Sequence, residues 1–258
     1  MADGPFLSVV IPVFEGEDII RGTVEAVKAH ASKRGWPIEI VVGFSEGRDG
    51  TRRVLAELAG EHSEMRIVDT TAQFGKGGAV RGAMAETRGR ARCFIDADNG
   101  ASFDQVDRGL ELLEEHDIAV GSRYVEGGSA GRRTLGRSFL SRGGNLLIRV
   151  ALGLRGTDTR APLKVYRGDV ADRLFPLLRL NGFGFDSELL FLARKLGYRT
   201  VEFPVRWESG ERTSVRVPRD AIRSIAELFQ IRWHWLVGSY GRRGGQTTAQ
   251  QERTSGGR

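Results

Sequence analysis

The 258 residues include a single cysteine, Cys93, which excludes an internal disulfide and any cysteine-rich zinc site. The four histidines are scattered without ligand spacing and point to no metal. No run of about 18 apolar residues is available to span a bilayer, and no signal peptide opens the chain. The expected location is therefore cytoplasmic, with at most a peripheral contact on the cytoplasmic face of the membrane. No internal repeat is visible. Between Pro12 and Asp18 only Gly16 is a glycine, so the G-x-G-x-x-G turn of a dinucleotide site is missing after the first apolar run. That absence weighs against a dehydrogenase or a nucleotidylyltransferase.

What the chain does contain is enough apolar residue, 40%, for a full core. Its net charge is +6 and its pI about 9.9, so anionic partners are expected: phosphates, nucleic acid or a membrane surface. Part of that excess is uninformative, because the tail from Gly241 holds four arginines against one glutamate. Nucleic acid is not the expected partner. The basic loop after residue 120 lacks interleaved aromatics beyond Tyr124 and Phe139.

Leu7 to Val13 is a continuous apolar run of the kind a buried parallel strand shows, with Pro12 marking where pairing stops. A helix follows from Glu17 to Arg34, with Ile20, Val24, Val27 and Ala31 on one face. The pattern then repeats: strand Ile38 to Val42, helix Thr51 to Glu61, strand Met65 to Val68, glycine-rich loop Gln73 to Gly78, helix Ala79 to Thr87, strand Ala91 to Ile95. The second half reads as a helix from Phe103 to Glu115, a strand from Ile118 to Val120, and a loop carrying Arg123, Arg132, Arg133, Arg137 and Arg142 against Glu126. An apolar helix from Phe139 to Leu154 follows, then helices Val170 to Leu180 and Ser187 to Leu196, and an alternating strand Tyr198 to Trp207. Last come an amphipathic helix from Asp220 to Val237 and a tail from Gly238 whose composition predicts disorder. Alternating strands and helices predict an α/β fold with a mostly parallel sheet covered on both faces. In such sheets ligands bind outside the carboxyl ends of the strands.

One of those ends carries the sharpest feature. The strand Ala91 to Ile95 runs into Asp96, Ala97, Asp98, Asn99 and Gly100. Residues i and i+2 of an extended chain face one side, so both carboxylates can face one pocket. Hard carboxylate oxygens suit Mg²⁺ or Mn²⁺, and a bridging cation removes the repulsion of two close like charges. The plain alternative is a solvated turn, since Asp, Asn and Gly are ordinary turn residues.

Several stretches together resemble the family 2 glycosyltransferases, in particular the dolichyl-phosphate mannose and glucose synthases. They are LSVVIPVFEGED (7–18), FGKGGAVRGAM (74–84), FIDADNGAS (94–102), AVGSRYVEGG (119–128) and GRSFLSRGGNLLIR (136–149). DTRAPLKVY (158–166), GFGFDSELLFLARKLGYRTVEFPVRW (182–207) and ERTSV (211–215) complete the set in the family's order. The resemblance implies a GT-A fold, a Rossmann-like three-layer sandwich around a mostly parallel sheet. It implies one domain over residues 1–237, with a nucleotide-sugar-binding half (6–120), an acceptor-side half (121–218), an amphipathic C-terminal helix (219–237) and a disordered tail (238–258).

By the same resemblance, Asp96 and Asp98 hold Mg²⁺ or Mn²⁺ on the donor diphosphate. Pro12, Val13, Glu15, Lys76, Asp96, Ala97 and Asp98 contact the nucleotide sugar. Arg123 and Arg137, with Ser141, hold the acceptor phosphate. Asp98, Arg123 and Arg137 form the expected catalytic set. Lys76 has a physical reading as a point charge for phosphate, and Arg forks suit phosphate oxygens. Orienting an arginine is one reading of Glu188, and not the favoured one. The chain departs from the family pattern at the end of its second strand, Val42-Gly43-Phe44, where the family has two acidic residues and this chain's nearest are Glu46 and Asp49. Glu15-Gly16 replaces the family's Asn-Glu, and Pro162-Leu163 its Gly-Phe.

The expected activity is inverting transfer of a sugar from a nucleoside-diphosphate donor to a polyprenyl phosphate. Such an acceptor is already ionised at neutral pH and needs no strong general base. A hydroxyl acceptor on a soluble glycan or natural product would need one, with Asp96 or Glu188 as candidates. An inactive nucleotide-sugar-binding protein is the alternative of another class. A peripheral membrane contact is expected through the two apolar helices, which carry Trp233 and Trp235 with arginines nearby.

Overall fold

The structure, a computed structural model, describes residues 4–129, 135–207 and 217–241; along 135–142 and 217–224 it describes the backbone alone. Seven strands form one sheet: β1 (Leu7–Val13), β2 (Ile38–Phe44), β3 (Met65–Asp69), β4 (Ala91–Phe94), β5 (Ile118–Ser122), β6 (Leu163–Arg167) and β7 (Thr200–Pro204). Among the described residues, eight α-helices accompany them: α1 (Ile20–Arg34), α2 (Thr51–Glu61), α3 (Lys76–Ala85), α4 (Val106–Leu112), α5 (Leu135–Leu152), α6 (Gly168–Leu174), α7 (Phe185–Lys195) and α8 (Val217–Leu236).

The strand order is β3-β2-β1-β4-β6-β5-β7. All pairings are parallel except those of β6, which runs antiparallel to both β4 and β5. Alternation along each strand divides the interior into two cores. Leu7, Val9, Ile11 and Val13 of β1 pack with Ile20, Val24 and Val27 of α1 and with Leu55 and Leu58 of α2. Val10 of β1 faces the opposite layer, with Val80 and Met84 of α3, Phe94 of β4, and Phe185, Leu189 and Leu192 of α7. The expected mostly parallel sheet between two helical layers is what forms.

Three local expectations change. Leu163–Arg167 is a strand that the residue pattern did not announce, because a lysine sits in its middle. The helix expected over 170–180 starts at Gly168, stops at Leu174 and passes into a 3-10 turn over Phe175–Leu177, where Pro176 supplies no backbone N–H. The disordered tail expected from Gly238 does not begin there: Tyr240 is buried in the same core as α7. Residues 242–258 lie outside the described residues.

Because the chain goes from β1 out to β2 and later returns to β4 on the other side of β1, the carboxyl ends of β1 and β4 open a crevice. Helices α5 and α8 pack together, and Arg232 Nε donates to the Ala151 carbonyl at 2.7 Å. Ile148 and Leu152 of α5 and Leu228 and Ile231 of α8 point into the core. Their other face is apolar and open to solvent, with Val150 71%, Phe229 72%, Trp233 64% and Leu236 77% exposed.

Candidate active site

The crevice is floored by the residues after β4. Phe94 and Ile95 are buried, and the chain then turns through Asn99, whose φ of 48° is tolerated by an Asx side chain, to Gly100. Asp98 Oδ1 accepts the Gly100 N–H at 3.1 Å. Burial and the neighbouring Asp96 carboxylate raise the pKa of Asp98. Lys76 Nζ lies 2.5 Å from Asp96 Oδ1 and 5.9 Å from the centre of the Phe94 ring. Burial works against the lysine's charge, but Asp96, Asp186 and Asp98 outweigh it and raise its pKa. The Asp pair is joined by no third His, Cys, Asp or Glu able to hold a metal among the described residues. Two carboxylates with the remaining positions left to substrate phosphate and water is the usual Mg²⁺ arrangement, so the donor set fits such a cation.

Lys76 is placed by the turn before α3. Gly75 has a φ of 119°, and a Cβ there would lie 2.4 Å from the Asn181 carbonyl oxygen. A Cβ on Gly78 would lie 1.7 Å from the Gln73 carbonyl oxygen. Only glycine fits either position. The first N–H groups of a helix lack intrahelical acceptors. Here the Asn181 carbonyl accepts from Gly77 at 2.8 Å and Gly78 at 3.2 Å. Those two amides are therefore occupied.

On the other side of the floor, Arg123 at the end of β5 forms a bidentate pair with Asp158: Nε to Oδ2 at 2.8 Å and Nη2 to Oδ1 at 3.0 Å. Its guanidinium also lies 5.6 Å from the ring centres of Tyr124 and Trp207. Burial disfavours both charges, but the pairing wins, raising the arginine's pKa and lowering that of Asp158. The Asp158 loop is held by Glu202, which accepts the N–H groups of Thr157 and Asp158, and by Asn145 of α5, which accepts from Thr159. Between the two halves lies a fully buried pair. Lys164 Nζ of β6 donates to Asp186 Oδ1 at 2.6 Å and to the Ala161 carbonyl at 2.8 Å, and sits 5.2 Å from the Phe94 ring centre. Two lysine ammoniums thus lie 5.9 and 5.2 Å from the Phe94 ring centre.

The family model "Glycosyl transferase family 2" matches residues 8–175, which takes in β1 through the Asp pair to β6 and α6. The chain belongs to glycosyl transferase family 2. It is similar to the dolichyl-phosphate beta-glucosyltransferases of Saccharomyces cerevisiae and Drosophila melanogaster. Each is 28% identical, over 91% of this chain and 76% of the relative. Among solved structures it is similar to glucosyl-3-phosphoglycerate synthase of Mycobacterium tuberculosis, crystallised with Mn²⁺, UDP-glucose and phosphoglyceric acid. That match has a TM-score of 0.63 at 19% identity and covers 88% of this chain and 80% of the other. The fold is accordingly GT-A, and the family makes the protein a glycosyltransferase.

In this glycosyltransferase, Lys76, Asp96 and Asp98 converge after β4, and Arg123 follows β5, which β6 separates from β4, already held by Asp158. Pro12 and Val13 are buried within β1, Pro12 opposite Gly43 of β2. Glu15 is exposed and its Oε1 accepts the Arg48 N–H at 3.2 Å. Ala97 contributes its carbonyl to the Thr23 hydroxyl at 2.6 Å. Arg137 and Ser141 belong to α5, but their side chains lie outside the described residues, as do Arg132 and Arg133. Glu188 is fully buried; its carboxylate accepts the Arg179 and Leu180 backbone N–H groups and the Tyr240 hydroxyl, and the charge of Arg81 acts on it. Reading the sequence missed Asp158, Lys164 and Asp186. A signal existed for one of them: a lysine inside Pro162-Leu163-Lys164-Val165-Tyr166 must be buried if its neighbours are, and a buried cation requires a partner.

Proposed function

We propose that the protein transfers a sugar, with inversion, from a nucleoside-diphosphate donor to a polyprenyl phosphate, and that the sugar is glucose. The relatives named dolichyl-phosphate beta-glucosyltransferase supply the acceptor class and the sugar. The observation that carries the reading is the state of the carboxylates around the crevice. Asp96 is paired with Lys76, Asp158 with Arg123, and Asp186 with Lys164, and Glu188, away from the crevice, is buried under three donors. Apart from the exposed Asp98, each of these already has a partner, which suits an acceptor that arrives ionised.

Asp96 and Asp98 would hold Mg²⁺ or Mn²⁺, which supplies neutralisation of charge on the leaving diphosphate. The crystallised neighbour is described with Mn²⁺ and UDP-glucose, which supports that choice. Lys76 adds a fixed positive charge beside the Asp pair for the same diphosphate. Arg123 is preorganised by Asp158 and Trp207, and with Arg137 and Ser141 it forms the acceptor-phosphate side. An oxygen of the acceptor phosphate attacks the anomeric carbon as that carbon's bond to the diphosphate breaks, and the nucleoside diphosphate leaves.

A second reading comes from the same neighbour, whose described acceptor, phosphoglyceric acid, is anionic and water-soluble. The exposed apolar face of α5 and α8 favours the lipid. No helix among the described residues is long and apolar enough to cross a membrane, so a lipid acceptor is reached from the surface. Aromatic and aliphatic side chains flanked by Arg149 and Arg232 are suited to an anionic interface. The test is transfer from radiolabelled UDP-glucose with Mn²⁺ to polyprenyl phosphate in vesicles or to 3-phosphoglycerate. Label in the organic phase supports the proposal. Label only in the aqueous phosphoglycerate product would overturn it in favour of the soluble acceptor.

A further inference from the structure

Glu188 and Tyr240 do not touch the crevice, yet they are joined to it by an unbroken series of contacts. Glu188, on α7, is 0% exposed. Its two oxygens accept the Arg179 N–H, both at 3.1 Å, the Leu180 N–H at 3.0 Å, and the Tyr240 hydroxyl at 2.7 Å. A buried carboxylate without donors would lose its charge. Burial does raise its pKa, and the hydrogen bonds from Leu180, Tyr240 and Arg179 oppose that shift. The turn it holds, Leu178 to Asn181, is pressed against the start of α3. Asn181 caps the Gly77 and Gly78 amides, and Arg81 of α3 donates to the Leu178 carbonyl at 3.1 Å and to Asn181 Oδ1 at 2.9 Å. The residue at the head of that helix is Lys76.

From the other end, Tyr240 follows α8. Arg179 also donates to the Ser239 carbonyl, so the segment after α8 grips the turn at two points. Tyr240 further packs against His234 and Trp235, with ring centres 6.0 and 6.4 Å away.

We propose that Glu188 and Tyr240 are positioning residues for the donor phosphates: they fix the Leu178 to Asn181 turn, whose Asn181 carbonyl sets the first turn of α3 and with it Lys76. The segment closing α8 thereby completes the donor site from a distance. This rests on the reading of Lys76 as a diphosphate ligand. A tyrosine hydroxyl bonded to a buried carboxylate is a small, removable part of the series, because phenylalanine keeps the ring packing and loses only the donor.

The experiment measures binding of UDP, with GDP in parallel, in the presence of Mn²⁺ by calorimetry on the full chain. The variants are Tyr240→Phe, Lys76→Met and the double variant, with Glu188→Ala and Glu188→Gln beside them. Tyr240→Phe is expected to bind about tenfold more weakly, the size of one hydrogen bond to a charged group. In the double variant the Tyr240→Phe change should add nothing to the Lys76→Met loss, because it acts through that lysine. Glu188→Gln, which still accepts from Arg179 and Leu180, should recover part of the affinity lost in Glu188→Ala. In transfer assays the donor KM should rise while the acceptor KM holds. Unchanged affinity in Tyr240→Phe, or losses that add fully in the double variant, would overturn the positioning role while leaving the donor site standing. If Lys76→Met binds like the wild type, the reading of Lys76 fails, and the positioning role with it.

Discussion

Replacing Lys164 with methionine tests its buried pair with Asp186. Lys164 lies on β6 opposite Phe94 of β4 and Val120 of β5, in the interior of the sheet. Neither it nor Asp186 has more than 6% of its side chain exposed. Lys164→Met leaves the Asp186 carboxylate buried without its cation, and breaking a buried pair from one side costs about 3–5 kcal/mol. Against a total stability of about 5–15 kcal/mol that is a large share. Asp186→Asn should cost less, about 1–3 kcal/mol, because an amide oxygen still accepts from the ammonium. Replacing both, Lys164→Met with Asp186→Leu, removes two charges together and should return to within about 2 kcal/mol of the wild type. Urea unfolding followed by circular dichroism reads the difference. With a slope of about 3 kcal/mol/M for a chain of this size, Lys164→Met should lower the midpoint by about 1–1.7 M. The double variant should fold and still be slow in transfer, since Asp186 also supports the charges of Lys76 and Arg123. A Lys164→Met variant within about 1 kcal/mol of the wild type, or a double variant no more stable than Lys164→Met alone, would refute the reasoning.

Asp98→Ala should abolish transfer and Mn²⁺-dependent nucleotide binding with little change in the unfolding midpoint, because this exposed residue packs little; activity that survives both the substitution and EDTA would contradict it. Gly75→Ala places a Cβ against the Asn181 carbonyl at a φ of 119°, and should destabilise the fold by about 1–3 kcal/mol and weaken nucleotide binding. A variant with native stability and affinity would show that the turn is not so tightly held. Phe229→Ser with Trp233→Ser should release the protein from anionic vesicles without unfolding it, since both side chains are exposed, and wild-type binding should weaken as salt rises. Wild-type protein that stays in the supernatant when vesicles are pelleted would exclude this face as the membrane contact.

What the sequence by itself determined was whatever local pattern encodes. The continuous apolar run of Leu7–Val13 and the helical spacing of Ile20, Val24 and Val27 specify buried strand and covering helix without reference to distant residues. The same is true of the Asp pair: a strand end followed by Asn99 and Gly100 puts Asp96 and Asp98 at the carboxyl edge, where an α/β sheet binds ligands. Tertiary structure decided the rest, because it depends on which charges meet once water is excluded. Lys164 reads as a break in a strand until Asp186, 22 residues on, gives it a partner. Arg123 reads as one of five loop arginines until Asp158, 35 residues away, holds its fork. Tyr240 reads as tail until Glu188, 52 residues earlier, accepts its hydroxyl. Hydrophobic periodicity is a property of neighbours along the chain, whereas a buried charge is tolerated only where the fold brings its partner, and no spacing in the sequence records that meeting.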